Sequence, residues 1–132
     1  MRSPAAAAAG DRIRTLGYVT EAQRADLLAG ATVFAYPSLA EGFGFPPLEA
    51  MLAGVPVVAA RQGTLEEVLG DAALLADPRD VDALGAALDT AITDHGVRRR
   101  LIAAGTERAG RYTWERTGAE LAALYGRLIA NP

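Results

Sequence analysis

Two glutamates and two glycines stand close together in the middle of the chain, within residues 41–49. Gly42 and Gly44 permit positive φ angles and let the backbone approach a ligand closely. The helix predicted to follow begins with unpaired N–H groups and a partial positive charge, and both favour phosphate. Glu41 and Glu49 carry carboxylates, which accept hydrogen bonds from neighbouring sugar or ribose hydroxyls. The segment therefore combines groups that bind phosphate with groups that bind hydroxyls.

The same residues permit a plainer interpretation. They suit a glycine-rich turn in which Glu41 offsets the helix dipole and Glu49 lies on a solvated face. The segment is not a P-loop, because the Gly-Lys-Ser/Thr ending is absent. It is not the dinucleotide fingerprint either, because the third glycine is missing. The chemistry of these residues alone does not distinguish a ligand-binding loop from a glycine-rich turn.

The composition of the 132-residue chain excludes several kinds of site. A net charge of −3 gives no electrostatic reason to expect a nucleic acid or an anionic membrane as a partner. The chain has no cysteine, which excludes disulfides, a thiolate nucleophile and a thiolate zinc site. The one histidine, His95, cannot build a multi-histidine metal site by itself.

The length of the chain predicts one domain, over residues 11–132. The longest apolar run, Ala5–Ala9, is far shorter than the ~20 residues that cross a bilayer, so we expect no integral membrane segment. Residues 1–10 lack the hydrophobic stretch of a signal peptide and are interpreted as a disordered tail. A cytoplasmic location is expected.

Strand and helix signals alternate along the first part of the chain and predict a parallel sheet. The predicted strands are Ile13–Leu16, Thr32–Tyr36, Val55–Ala59 and Ala72–Leu75. The predicted helices are Glu21–Ala29, a helix from Pro46 to Ala53, a short helix ending at Leu69, and three more from Asp80 onward.

Four cap signals, of two kinds, support these helices. Thr20 and Thr64 each begin a capping box, and Asp80 and Thr113 are single N-caps.

The predicted fold class is α/β, with a Rossmann-like parallel sheet of about four strands, flanking helices and a helical C-terminus. Such sheets usually have about five or six strands, so one edge is expected to lack its neighbours. Ligands of parallel sheets bind beyond the carboxyl ends of the strands. Three segments lie there: Pro37–Pro47, Ala60–Thr64 and Ala76–Asp80.

Other conspicuous residues have structural interpretations. His95 is expected in a solvated turn between helices, and Arg98–Arg100 on an exposed helix face rather than at a phosphate. Trp114 is expected to anchor the packing of the last helix, and Thr64 to cap a helix rather than bind phosphate. The apolar stripe of the last helix lacks an obvious partner, which predicts self-association.

The segment from Glu41 to Met51 resembles the Glu-x7-Glu motif of retaining glycosyltransferases of family 4, which have the GT-B fold. The flanking segments are similar to this family too, over about Ile13 to Leu128. They are Leu16–Val19, Val33–Ser38, Ala53–Ala59, Gly70–Leu75 with Asp77 and Pro78, and Tyr112–Glu115.

The resemblance implies a donor site for a nucleotide sugar, and transfer of a hexose with retention of anomeric configuration. It gives Glu41 a catalytic place at the hydroxyls of the transferred sugar, and Glu49 a place at the ribose. The backbone of Gly42, Phe43, Gly44 and Phe45 would hold the sugar and the diphosphate. No metal or other cofactor is implied. The motif variant with Phe45 before two prolines favours a GDP-mannose-type donor.

The chain also departs from the family. The acceptor-binding amino-terminal domain is missing, as are the first strand–helix units of the donor domain, with their arginine and lysine. Glu66 stands where the family usually has proline. We therefore expect an N-terminally truncated, incomplete donor-binding domain, with little activity unless the amino-terminal domain is supplied in cis or in trans.

Two alternatives remain. One is a non-catalytic nucleotide-binding or partner-docking module derived from such an enzyme. The other is a different GT-B relative, such as a sugar-nucleotide epimerase.

Overall fold

The computed structural model describes residues 10–130, in which three strands alternate with three helices before three further helices. Residues 1–9, most of the predicted tail, lie outside the described part. The strands are β1 (Phe34–Tyr36), β2 (Val57–Ala60) and β3 (Leu74–Ala76). The helices are α1 (Glu21–Ala29), α2 (Phe45–Leu52), α3 (Gly63–Leu69), α4 (Val81–Thr93), α5 (His95–Ala109) and α6 (Trp114–Ala130). Two single turns of 3₁₀ helix are found at Gly10–Arg12 and Gly70–Ala72.

The three strands form one parallel sheet in the order β1-β2-β3. Phe34 of β1 lies opposite Val57, and Val58 of β2 lies opposite Leu74. All four residues of β2 are buried, as expected for the central strand of a sheet covered by helices on both faces. The predicted α/β class with a parallel sheet is confirmed.

The first three residues of β2 alternate between two separate clusters of apolar side chains, and Ala60 at its end belongs to the larger one. Val57 and Ala59 pack in the larger cluster with buried residues of α2 and α3, such as Met51 and Leu65. Val58 packs in the smaller cluster with Leu101 of α5 and with residues of α4. The sheet therefore has helices on both faces, as a doubly wound fold requires.

The strand predicted over Ile13–Leu16 does not form, so the sheet has three strands rather than four. This segment has no strand assignment, and Ile13 and Leu16 are 40% and 45% exposed. A strand needs a neighbour to pair its backbone groups, and alternation over four residues cannot replace that neighbour. Among the described residues, β2 is the strand that pairs with β1, whose other edge is open.

The predicted caps of α1, α4 and α6 are confirmed. Thr20 and Gln23 form both hydrogen bonds of a capping box, and α1 covers the predicted Glu21–Ala29. The Asp80 side chain accepts a hydrogen bond from the Ala83 N–H at the start of α4. Thr113 accepts one from the Arg116 N–H at the start of α6.

Two predictions about helix starts are wrong. Thr64 is not an N-cap: the extended backbone is at Gln62, and Thr64 is the second residue of α3. Leu65 is fully buried, so its packing in the core, rather than a cap at Thr64, positions the start of α3. His95 is exposed as expected, but it is the first residue of α5 rather than part of a turn. Asp94 caps this helix by accepting from two backbone N–H groups, which extends the helix back to His95.

Helix α6 has an apolar stripe that is not covered by the described residues. None of its residues is buried, and Trp114 is 84% exposed. The prediction that Trp114 anchors the packing is wrong, because α6 contributes no side chain to either core cluster. Leu121, Tyr125 and Leu128 are also exposed, which agrees with the prediction that the stripe of the last helix is uncovered.

Exposed apolar stripes promote association, so we expect the chain to sediment above its monomer mass of 13.7 kDa at high concentration. A Leu121→Glu/Leu128→Glu variant is expected to sediment as a monomer, because two charges then interrupt the stripe. Ala119→Glu is the control, since its position lies on the opposite side of α6. A wild-type chain that stays monomeric at all concentrations would contradict the prediction.

Candidate functional site

The Glu41 carboxylate is held by two hydroxyl groups at the carboxyl end of β1. The hydroxyl of Tyr36, the last residue of β1, donates to Glu41 Oε1 at 2.6 Å. The Ser38 hydroxyl lies 2.8 Å from the same oxygen and 3.1 Å from the Ala40 carbonyl. A serine hydroxyl has one proton, and the charged acceptor is the closer one. Both donors therefore meet at one oxygen of Glu41.

These hydrogen bonds shift both titratable groups. The Tyr36 and Ser38 hydroxyls stabilise the carboxylate and lower the pKa of Glu41. The hydrogen bond to Glu41, burial and the nearby negative charge raise the pKa of Tyr36 to about 12. Glu41 is therefore ionised at neutral pH, and it acts as a hydrogen-bond acceptor. Because its pKa is lowered on folding, this arrangement stabilises the fold above the ordinary pKa of glutamate and is lost as pH falls through the lowered value.

Glu49 is held by an ion pair from a different helix. It lies in α2, and its Oε2 is 2.6 Å from Arg24 Nη1 in α1. The capping box at Thr20 fixes the start of α1 one turn before Arg24. Both side chains are partly exposed, at 46% for Arg24 and 37% for Glu49, so the pair contributes little to stability. The ion pair places the carboxylate beside α1.

The two loop glycines have different roles. Gly44 has a φ angle of +94°, and a Cβ atom there would lie 2.6 Å from Leu65 Cδ2. Gly42 does not use the positive φ that glycine permits, and a Cβ there would meet nothing within 4 Å. Gly44 therefore packs the loop against α3, whereas Gly42 leaves open space beside the backbone.

The start of α2 offers fewer N–H groups than a typical helix. Its second and third residues are Pro46 and Pro47, which have no backbone N–H. The expected phosphate-binding N–H groups must therefore come from Phe45 and from the loop before it. This restriction agrees with the expectation that the backbone of residues 42–45 supplies these groups, and the helix begins one residue before the predicted Pro46.

The loop aromatics face a cleft of about 660 Å³ at the corner between α5 and α6. The rings of Phe43 and Phe45 lie 4.8 Å apart, and Tyr112 meets Phe43 edge-on at 5.4 Å. The cleft is lined by Phe43, Phe45, Arg108, Arg111, Tyr112, Thr113, Trp114, Arg116, Thr117 and Glu120. Neither predicted glutamate lines this cleft.

Sequence reasoning missed the residues that hold the glutamates. Tyr36 and Ser38 precede Glu41 by five and three residues, so two hydroxyl groups near a strand end were an available signal. Arg24 precedes Glu49 by 25 residues and gave no such signal.

The basic run at Arg98–Arg100 has two exposed members, Arg99 and Arg100, as expected. Arg98 donates to the Thr32 carbonyl, and Arg100 to the Asp71 carbonyl at 3.5 Å, so both have structural contacts. Between Gly10 and Ala130, no three histidine, aspartate or glutamate side chains form a group that could hold a metal ion.

Comparison with known proteins decides the family. The sequence pattern of the family described as "Glycosyl transferases group 1" matches residues 4–108, most of the chain. The chain belongs to this family.

Two relatives of this glycosyltransferase chain are mannosyltransferases. O-antigen chain mannosyltransferase B of Escherichia coli is 48% identical over 103 residues, which cover 78% of this chain and 27% of the relative. MMP alpha-(1->4)-mannosyltransferase of Mycolicibacterium hassiacum is 39% identical over 125 residues, which cover 92% and 30%.

A solved structure supports the same conclusion. Sucrose-phosphate synthase from Thermosynechococcus elongatus has a TM-score of 0.79 and 32% identity. The match covers 93% of this chain and 32% of the synthase, so the predicted GT-B-type α/β fold is confirmed. This glycosyltransferase chain therefore spans about a third of the length of these proteins. None of its described helices is both long enough and apolar enough to cross a membrane.

The loop glycines give a matched pair for a stability test. Gly44→Ala is expected to lower the free energy of unfolding by about 1–3 kcal/mol, because it combines a positive φ with a clash against Leu65. Gly42→Ala is expected to stay within about 0.5 kcal/mol of wild type. Urea unfolding followed by circular dichroism measures both, and equal effects of the two substitutions would contradict this assignment.

The Tyr36–Glu41 hydrogen bond predicts a late tyrosine titration. The difference between the ultraviolet titrations of wild type and Tyr36→Phe isolates Tyr36, with an expected midpoint of about 12. In a Glu41→Ala background, the same difference should shift toward the ordinary value of 10.0, because the acceptor and its charge are gone. Circular dichroism at each pH verifies that the chain is folded. A midpoint that Glu41→Ala leaves unchanged would disprove the contact.

Proposed function

We propose that this chain is the donor-binding part of a retaining family 4 glycosyltransferase, which transfers a hexose from a nucleotide sugar to an acceptor. The observation that carries the proposal is the ionised Glu41 carboxylate, fixed by two hydroxyls where β1 ends and the glycine loop begins. Ligands of parallel sheets bind at this edge, and a fixed carboxylate suits sugar hydroxyls.

Each part of the loop has a proposed role. Glu41 is the catalytic residue that accepts hydrogen bonds from the transferred sugar, and Glu49 accepts them from the ribose. The backbone of residues 42–45, which includes the open approach at Gly42, binds the sugar and the diphosphate. The start of α2 stabilises the charge that develops on the leaving nucleoside diphosphate. The proposed reaction retains anomeric configuration and uses no metal.

The proposed donor is a GDP-mannose-type nucleotide sugar. The names of two relatives describe mannosyltransferases, and both cover most of this chain. The Phe45-Pro46-Pro47 variant of the motif supports the same choice. We propose that the chain acts in the cytoplasm.

Transfer requires more than the described residues. The chain covers 27% and 30% of the two mannosyltransferases, so an acceptor-binding domain, in cis or in trans, is part of the proposal. The uncovered stripe of α6 is a surface that such a domain could contact. The same stripe favours the second candidate, a nucleotide-binding module that docks on a partner and does not itself catalyse transfer.

Calorimetric titration of the chain with GDP, UDP, ADP and their sugar conjugates tests the donor site. We expect one nucleotide series to bind, and Glu49→Ala to weaken it by about tenfold or more, as for a lost hydrogen bond to a charged group. Glu115→Ala, which removes an exposed glutamate in the first turn of α6, should leave binding unchanged. A folded, monodisperse chain that binds none of the six compounds would refute the proposed function.

A further inference from the structure

Glu41 is bound on one side of its carboxylate and open on the other. The Tyr36 and Ser38 hydroxyls both contact Oε1, at 2.6 and 2.8 Å. A carboxylate oxygen has about two lone-pair directions, so two donors fill this oxygen. Hydrogen bonds to Oε2 are absent from those found among residues 10–130.

One of the two donors, Tyr36, belongs to the sheet, and the other, Ser38, lies just beyond the end of its strand. Tyr36 pairs with Ala59 of β2, and its ring stacks on Phe34 with centroids 5.9 Å apart and planes inclined by 19°. Ser38 follows two residues later, before the chain turns into the loop. Groups held by packed neighbours position a binding side chain more precisely than a loop alone.

We propose that Tyr36 and Ser38 are positioning residues, which occupy Oε1 of Glu41 and direct Oε2 to a hydroxyl of the transferred hexose. This inference rests on the proposed donor site, and it explains how that site would distinguish a nucleotide sugar from a nucleoside diphosphate. With both protein donors on Oε1, the remaining oxygen is available to accept a hydrogen bond from the ligand. A sugar hydroxyl supplies one, and a nucleoside diphosphate without its sugar does not place one there.

The proposal predicts which ligand each substitution affects. In wild type, the sugar conjugate is expected to bind more tightly than the nucleoside diphosphate. Tyr36→Phe or Ser38→Ala should reduce this preference by about three- to tenfold, because Glu41 is then less firmly held. The affinity for the diphosphate alone should change by less than about twofold, since its proposed contacts are elsewhere.

Matched variants separate positioning from general damage. Tyr125→Phe removes a hydroxyl from the exposed face of α6 and should keep the wild-type preference. Ser38→Thr retains a hydroxyl and should preserve most of it. The measurement is calorimetry with GDP and GDP-mannose, or with whichever pair the six-compound titration selects, and circular dichroism verifies that each variant is folded.

A ligand-free measurement tests the contact directly. Carbon-13 NMR titration of the Glu41 carboxyl should give a lowered pKa in wild type and a higher one in Tyr36→Phe, because a donor to the carboxylate is lost. A Glu41 pKa that Tyr36→Phe leaves unchanged would overturn the inference.

The outcomes distinguish this inference from the proposed function. If the conjugate binds more tightly but the variants keep the wild-type preference, the positioning role fails and the donor site stands. If wild type binds none of the compounds, the donor site fails, and the role of Oε2 fails with it.

Discussion

Strand β2 is covered on both faces, and the arrangement of the other elements follows from that burial. Its neighbours β1 and β3 pair its backbone groups, which would be costly to bury unpaired. The side chains of its first three residues alternate between two clusters, Val57 and Ala59 on one face and Val58 on the other. A parallel strand buried in this way needs helices on both faces. The carboxyl ends of all three strands then meet at one edge. The loop between β1 and α2 that carries Glu41, here called the Glu41 loop, begins there.

The Glu41 loop is tied to the core at both ends. Tyr36 belongs to the sheet at one end, and Gly44 lies against the fully buried Leu65 at the other. These two anchors explain how a short loop with exposed residues can hold a carboxylate in one position. Glu49 receives its contact from α1, so elements on either side of β1 in the sequence both contribute to the candidate site.

Two surfaces of the described residues are left uncovered. One is the outer edge of β1, and the other is the apolar stripe of α6. Free strand edges and apolar stripes are the surfaces that folded proteins usually cover with further structure. The chain spans about a third of the length of its relatives.

The alternation of strands and helices, the ends of α1, and the position of the glycine loop after a strand could be predicted from the sequence alone, whereas the burial expected for that strand does not occur in the edge strand β1. These features depend on hydrogen bonds and periodicity within a few residues, and such contacts are visible in order along the chain. Three features become visible only in the folded chain: Ile13–Leu16 is no strand, Trp114 is exposed, and Arg24 meets Glu49. Each of these depends on whether a distant segment supplies a partner, and neither propensity nor spacing encodes that contact.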